Sequence, residues 1–96
     1  MESPTVVERN VFQAKYGRDD ELVQLFQDTS DLLDRRGGGA RRILTDLTGP
    51  FFTVVTESKF ASLVDYQRAN EVFGECFARM TEVVESDTRE LYTLVD

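Results

Sequence analysis

The sequence has no histidine and no tryptophan, and only one cysteine and two prolines in 96 residues. Without histidine the commonest general base, the commonest haem ligand and most zinc sites are lost together. With Cys76 alone, no intrachain disulfide forms and no CxxC-type cluster holds a metal, so neither metal nor cofactor is expected. No apolar run reaches the roughly 18 residues that span a bilayer. Met1-Glu2-Ser3-Pro4 has neither a basic nor an apolar leader region, which predicts a cytoplasmic location and no membrane partner. Positive charge is scarce as well: 11 Lys and Arg against 18 Asp and Glu leave a net charge of −7. A field of that sign repels a phosphate backbone, and nucleic acid is not an expected partner.

What is present is ordered by hydrophobic period. Ninety-six residues supply one core, so residues 1–96 are expected to form a single domain. Thr5 to Lys15, with Val6, Val7, Val11 and Phe12, reads as a strand, and Gly17-Arg18-Asp19 as the turn after it. From Asp19 the period becomes 3.6, with Leu22, Leu25, Phe26, Thr29 and Leu33 on one face. Asp19, Asp20 and Glu21 suit the positive end of that helix, and Arg35, Arg36 and Gly37 its close. Ala40–Thr48 and Phe51–Ser58 read as a hairpin turning at Gly49-Pro50. A long helix then starts at Ser58, and Thr88–Val95 alternates as a closing strand.

Two of these segments carry further expectations. In the long helix, Phe60, Leu63 and Val64 are out of phase with Ala69, Val72, Phe73, Cys76, Phe77 and Met80, which predicts an interruption between Tyr66 and Gly74. In the strands, apolar residues occupy both parities. Val7, Val11, Leu44, Phe52, Val54, Leu91 and Val95 read as one face, and Val6, Phe12, Ile43, Leu47, Phe51, Val55, Tyr92 and Leu94 as the other. Helices cover only one face of a β-α-β-β-α-β sheet, so the second face is expected to be covered by a copy of the same chain.

The order of elements, Gly17-Arg18-Asp19-Asp20-Glu21-Leu22 opening the first helix, Gly49-Pro50-Phe51-Phe52 in the hairpin, and Arg89-Glu90-Leu91-Tyr92 near the end resemble the dimeric α+β barrel superfamily. Within it the sequence is similar to the NIPSNAP-like and antibiotic biosynthesis monooxygenase-like families. The resemblance implies a ferredoxin-like α+β domain with an antiparallel sheet, paired with its copy sheet to sheet. Members include cofactor-free oxygenases, haem-degrading enzymes, isomerases and proteins without assigned activity, so the fold leaves the chemistry open. The chain lacks the histidine of the haem-using members and the tryptophan found in cofactor-free oxygenases.

Three groups of residues are candidate sites. Arg35, Arg36, Arg41 and Arg42 surround Gly37-Gly38-Gly39, a concentrated positive charge, but one that follows a helix C-terminus, the end that repels anions. Arg9, Asn10, Gln13, Asp46, Arg89 and Glu90 interrupt apolar strands and either line a cavity or fix the register of a dimer. Tyr66, Arg68 and Asn70 at the expected break, with Tyr92 from the last strand, are the predicted ligand contacts between sheet and second helix. The expected function is that of a small homodimeric α+β barrel protein with a small-molecule pocket between sheet and helices. The alternatives are a cofactor-independent monooxygenase or isomerase acting on an apolar substrate, and a non-catalytic interaction module. A cavity of about 300 Å³ would favour the pocket, and a space filled by Phe12, Phe26, Phe73 and Phe77 the module.

Overall fold

The computed structural model describes residues 5–35 and 41–95, without the side chains at 32–35, 72 and 75–77. The elements are β1 (Val6–Ala14), α1 (Asp19–Arg35), β2 (Arg41–Thr45), β3 (Thr53–Phe60), α2 (Leu63–Val83) and β4 (Val84–Thr93). The four strands form one antiparallel sheet in the order β2-β3-β1-β4, with the first and third strands central. This is the β-α-β-β-α-β ferredoxin-like arrangement that the sequence predicts. The expected centre of the Arg–Gly loop, Arg36–Ala40, lies outside the described residues, as do the side chains of Leu33, Cys76 and Phe77.

Register decides which residues face the helices. Val6, Glu8, Asn10, Phe12 and Ala14 of β1 are buried, as are Val54, Thr56, Ser58 and Phe60 of β3. Their cross-strand partners place Arg41, Ile43 and Thr45 of β2, and Asp87, Arg89, Leu91 and Thr93 of β4, on the same side. Val7, Arg9, Val11, Arg42, Leu44, Val55, Glu57, Glu90 and Tyr92 lie on the outer face. Two strands are therefore reversed from the sequence grouping: Val54 and Leu91 join Val6, whereas Val55 and Tyr92 join Val7. Alternation fixes parity within a strand, but only cross-strand hydrogen bonds fix it between strands.

The helix α2 is continuous, which corrects the expected interruption between Tyr66 and Gly74. Phe60 belongs to β3 and not to a helical stripe, and Leu63 and Val64 are each 54% exposed in the first turn. The apolar stripe begins at Tyr66, since Tyr66, Ala69, Met80 and Val83 are buried at helical spacing. The cap is Ser62, four residues later than Ser58, and its hydroxyl accepts from the Asp65 N–H at 3.2 Å.

Among the described residues the buried interior falls into two pieces. Phe12, Ala14, Leu22, Leu25, Phe26, Val54, Met80 and Val83 form one apolar cluster, and Val6, Phe60, Tyr66 and Ala69 a second, with Phe73 packed against both. Between them runs a polar band across the helix-facing side of the sheet: Arg41, Ser58 and Glu8 in one row, Thr56, Asn10 and Arg89 in the next.

Candidate functional site

Glu8 is the centre of this band. Alternation along β1 turns it toward the helices between Val6 and Asn10, and its residue is 3% exposed. Burial pushes its carboxyl above the usual carboxylate range, while Arg89, hydrogen bonds from Tyr66 and Asn10, and the charge of Arg41 pull the other way. The Arg89 Nε lies 3.5 Å from the Glu8 carboxylate.

Tyr66 reaches this group from α2. Its Oη accepts from the Arg89 Nη1 at 3.1 Å and from the Asn70 Nδ2 at 3.3 Å. With both acceptor positions occupied, the phenol has its own proton left to offer, and its presence beside Glu8 favours the ionised carboxylate. Asn70 shares the helix face because it follows Tyr66 by four residues. The ring of Tyr66 is held edge-on to Phe60 at 5.6 Å.

A cavity of about 30 Å³ lies under this network, lined by Glu8, Asn10, Phe12, Asn70, Phe73, Met80, Asp87 and Arg89. That is room for a water or a single polar group. It shares Phe12, Met80 and Asp87 as walls with a groove of about 170 Å³ between α2 and β4, which Thr81, Val84, Glu85 and Ser86 complete. The enclosed space is well below the size expected of a pocket, because Phe12 and Phe26 stack with ring centres 4.8 Å apart and Phe73 fills the gap between the clusters. The chemistry available is acid–base and hydrogen-bonding: two carboxyls, Glu8 with its raised pKa and Asp87, two amides and a guanidinium line one small cavity, and the phenol of Tyr66 bonds to the amide of Asn70 and to Arg89. Among the described residues no group of side chains forms a metal site.

Of the four predicted contacts, the structure brings together Tyr66 and Asn70. Arg68 is exposed on the far side of α2, and Tyr92 pairs across from Val7 on the outer sheet face, where its hydroxyl donates to Glu90. Arg89 and Asn10, read as strand interruptions, belong to the cluster; Arg9, Gln13 and Glu90 lie on the opposite face. Asp46 instead holds the hairpin, its carboxylate accepting from the Thr53 N–H at 3.1 Å. Glu8 was missed. Its signal was parity: it shares the strand face of Val6 and Phe12, where a carboxylate is out of place.

No family model and no curated protein matches the chain. Among solved structures it is similar to protein SO0527 from Shewanella oneidensis, at 20% identity and TM-score 0.85, covering 96% of this chain and 92% of that one. A NIPSNAP family protein from Agrobacterium tumefaciens superposes at TM-score 0.74 with 17% identity, covering 96% and 94%. SnoaB, a cofactor-independent oxygenase from Streptomyces nogalater, superposes at 0.78 with 16% identity, covering 98% and 96%. The chain has their ferredoxin-like α+β fold. The resemblance read from sequence thus holds at the level of fold, and the activity is not fixed by it.

Proposed function

We propose that the protein is a homodimer through the outer sheet face and that each protomer binds a small molecule at the Glu8 cluster. The polar head of that molecule enters the cavity and its apolar body lies in the groove between α2 and β4. Phe12, Phe26 and Phe73 fill the space between sheet and helices as an interaction module would have it, so the ligand reading rests instead on the polar band and the open groove beside it. A core normally closes with apolar side chains, yet here Glu8, Asn10, Thr56 and Ser58 are buried between two apolar clusters. Such departures from the local rule concentrate where function requires them. The groove supplies Phe12, Met80 and Val84 for an apolar body, in keeping with pockets that are mostly apolar around a few converging polar groups.

The dimer reading rests on the outer face, where Val7, Val11, Leu44, Val55 and Tyr92 form a surface that the helices do not cover. Sedimentation at micromolar concentration is expected to give about twice the 11.0 kDa chain mass. A monomer would remove that part of the reading.

The ligand site is tested by a thermal-shift screen of apolar compounds that carry one hydroxyl, carbonyl or amide. A compound at about a hundred times its dissociation constant stabilises by about 2.7 kcal/mol, a shift of several degrees. Glu8→Gln and Asn70→Ala are expected to weaken the hits, and Arg68→Ala to leave them unchanged. Hits that bind all three variants as they bind the parent would place the site elsewhere.

A further inference from the structure

The sequence marks Arg41 and Arg42 as part of the concentrated positive charge of an acidic chain, and neither lines the cavity or the groove described above. Both stand in β2 and not at the end of α1. Register gives them a neighbour that the sequence does not. Arg41 is opposite Ser58 of β3 and Arg42 opposite Glu57, while Lys59 follows on β3 with Val7 of β1 across from it. Val7, Arg41, Arg42, Glu57 and Lys59 line a groove of about 290 Å³ at this corner of the sheet.

Three cations and one carboxylate form its walls. Glu57 is committed to Arg42, whose Nε and Nη2 lie 2.9 and 2.8 Å from its Oε1. Arg9 of β1 also stands opposite Glu57 and has Glu90 of β4 on its other side. Arg41 shares the charge of Glu8 with Arg89. Lys59 is exposed and, among the described residues, has no ion-pair partner. Glu57 and Glu8 thus each answer to two cations, Lys59 is answered by none, and the groove keeps an excess of positive charge.

We infer that this groove binds the phosphate group of a small organic phosphate ester. Such a group brings about −1.5 to −2 charges and three acceptor oxygens. Lys59 meets it as a point charge and the arginines of β2 as planar donor forks. Val7 is an apolar floor, and Tyr92 lies across from it on β4, so the organic part has an aliphatic and an aromatic surface to rest on. The net charge of −7 does not oppose this at physiological salt, where charges more than about 8 Å away are largely screened. The groove shares Val7 and Tyr92 with the surface of the dimer reading but lies toward the other end of the strands from Val11 and Val55, and the inference does not rest on that reading.

The test is an amide NMR titration with inorganic phosphate, phenyl phosphate and phenol at constant ionic strength, with chloride making up the balance. Inorganic phosphate is expected to move the amides of Val7, Arg42, Glu57 and Lys59 saturably, and phenyl phosphate to do so at several-fold lower concentration, with phenol alone inert there. Lys59→Gln is expected to weaken phosphate binding by about 5-fold. Glu57→Gln removes the carboxylate that holds Arg42 and is expected to tighten it several-fold. Glu71→Gln makes the same change of charge at an exposed position of α2 and is expected to leave it as in the parent. The same spectra show that each variant is folded. The inference is overturned if phosphate moves these amides no more than chloride does, if phenyl phosphate binds no tighter than inorganic phosphate or no tighter than phenol, if Lys59→Gln binds like the parent, or if Glu57→Gln and Glu71→Gln act alike.

Discussion

Glu8 sits where desolvation and a cation oppose each other, and desolvation is the larger. A carboxyl whose folded pKa lies above its unfolded value binds its proton more tightly in the native state. Its contribution to stability is full below the unfolded value of 4.5 and is lost as pH rises through the folded value. Glutamine cannot ionise, so Glu8→Gln is expected to compare better with the parent at pH 7 than at pH 4. Denaturant melts of both proteins across that range check it, and a difference that does not change with pH would contradict it. Tyr66→Phe removes the oxygen that accepts from Arg89 and Asn70 and is expected to cost about 1 kcal/mol, or roughly 4–8 °C in Tm. At this scale the sequence was partly legible. Tyr66 and Asn70 follow from helical spacing, whereas Tyr92 was placed with the helices because its parity relative to β1 depends on a register that one strand does not encode.

The helix α2 shows how a single misassigned residue changes an element. Counted as helical, Phe60 starts a stripe out of phase with Ala69 and implies a break; placed in β3, it leaves a stripe that runs unbroken from Tyr66. Gly74 tests the continuity. It lies exposed in the helix, and an added Cβ there meets nothing within 4 Å. Gly74→Ala is therefore expected to stabilise the protein by about 0.5–1 kcal/mol through helix propensity, whereas a hinge that needed glycine would be damaged by it. Ser62→Ala, which removes the cap to Asp65, is expected to cost about 1 kcal/mol. Thermal melts of the two variants measure both effects.

For the whole molecule, element order and strand order were legible because each element repeats its own period and right-handed crossovers leave few topologies. The two-sided sheet was legible too, in the apolar residues at both parities. The polar band was not, since it is assembled from four strands and one helix, and only the register between strands brings Glu8 and Asn10 beside Arg41, Thr56, Ser58 and Arg89.

The division of the buried interior bears on how the protein moves. Cooperative unfolding needs contacts that are shared throughout, and among the described residues the two apolar clusters are joined through Phe73. The first turns of α2, with Tyr66, Ala69 and the end strand residues Val6 and Phe60, are thus able to open while α1 and the Phe12 cluster stay closed. Native-state hydrogen exchange would show it as two classes of amide, with those of residues 66–70 exchanging at a lower free energy than those of residues 22–26. Opening of that kind would uncover Glu8 and enlarge a cavity that in the closed state admits little more than a water.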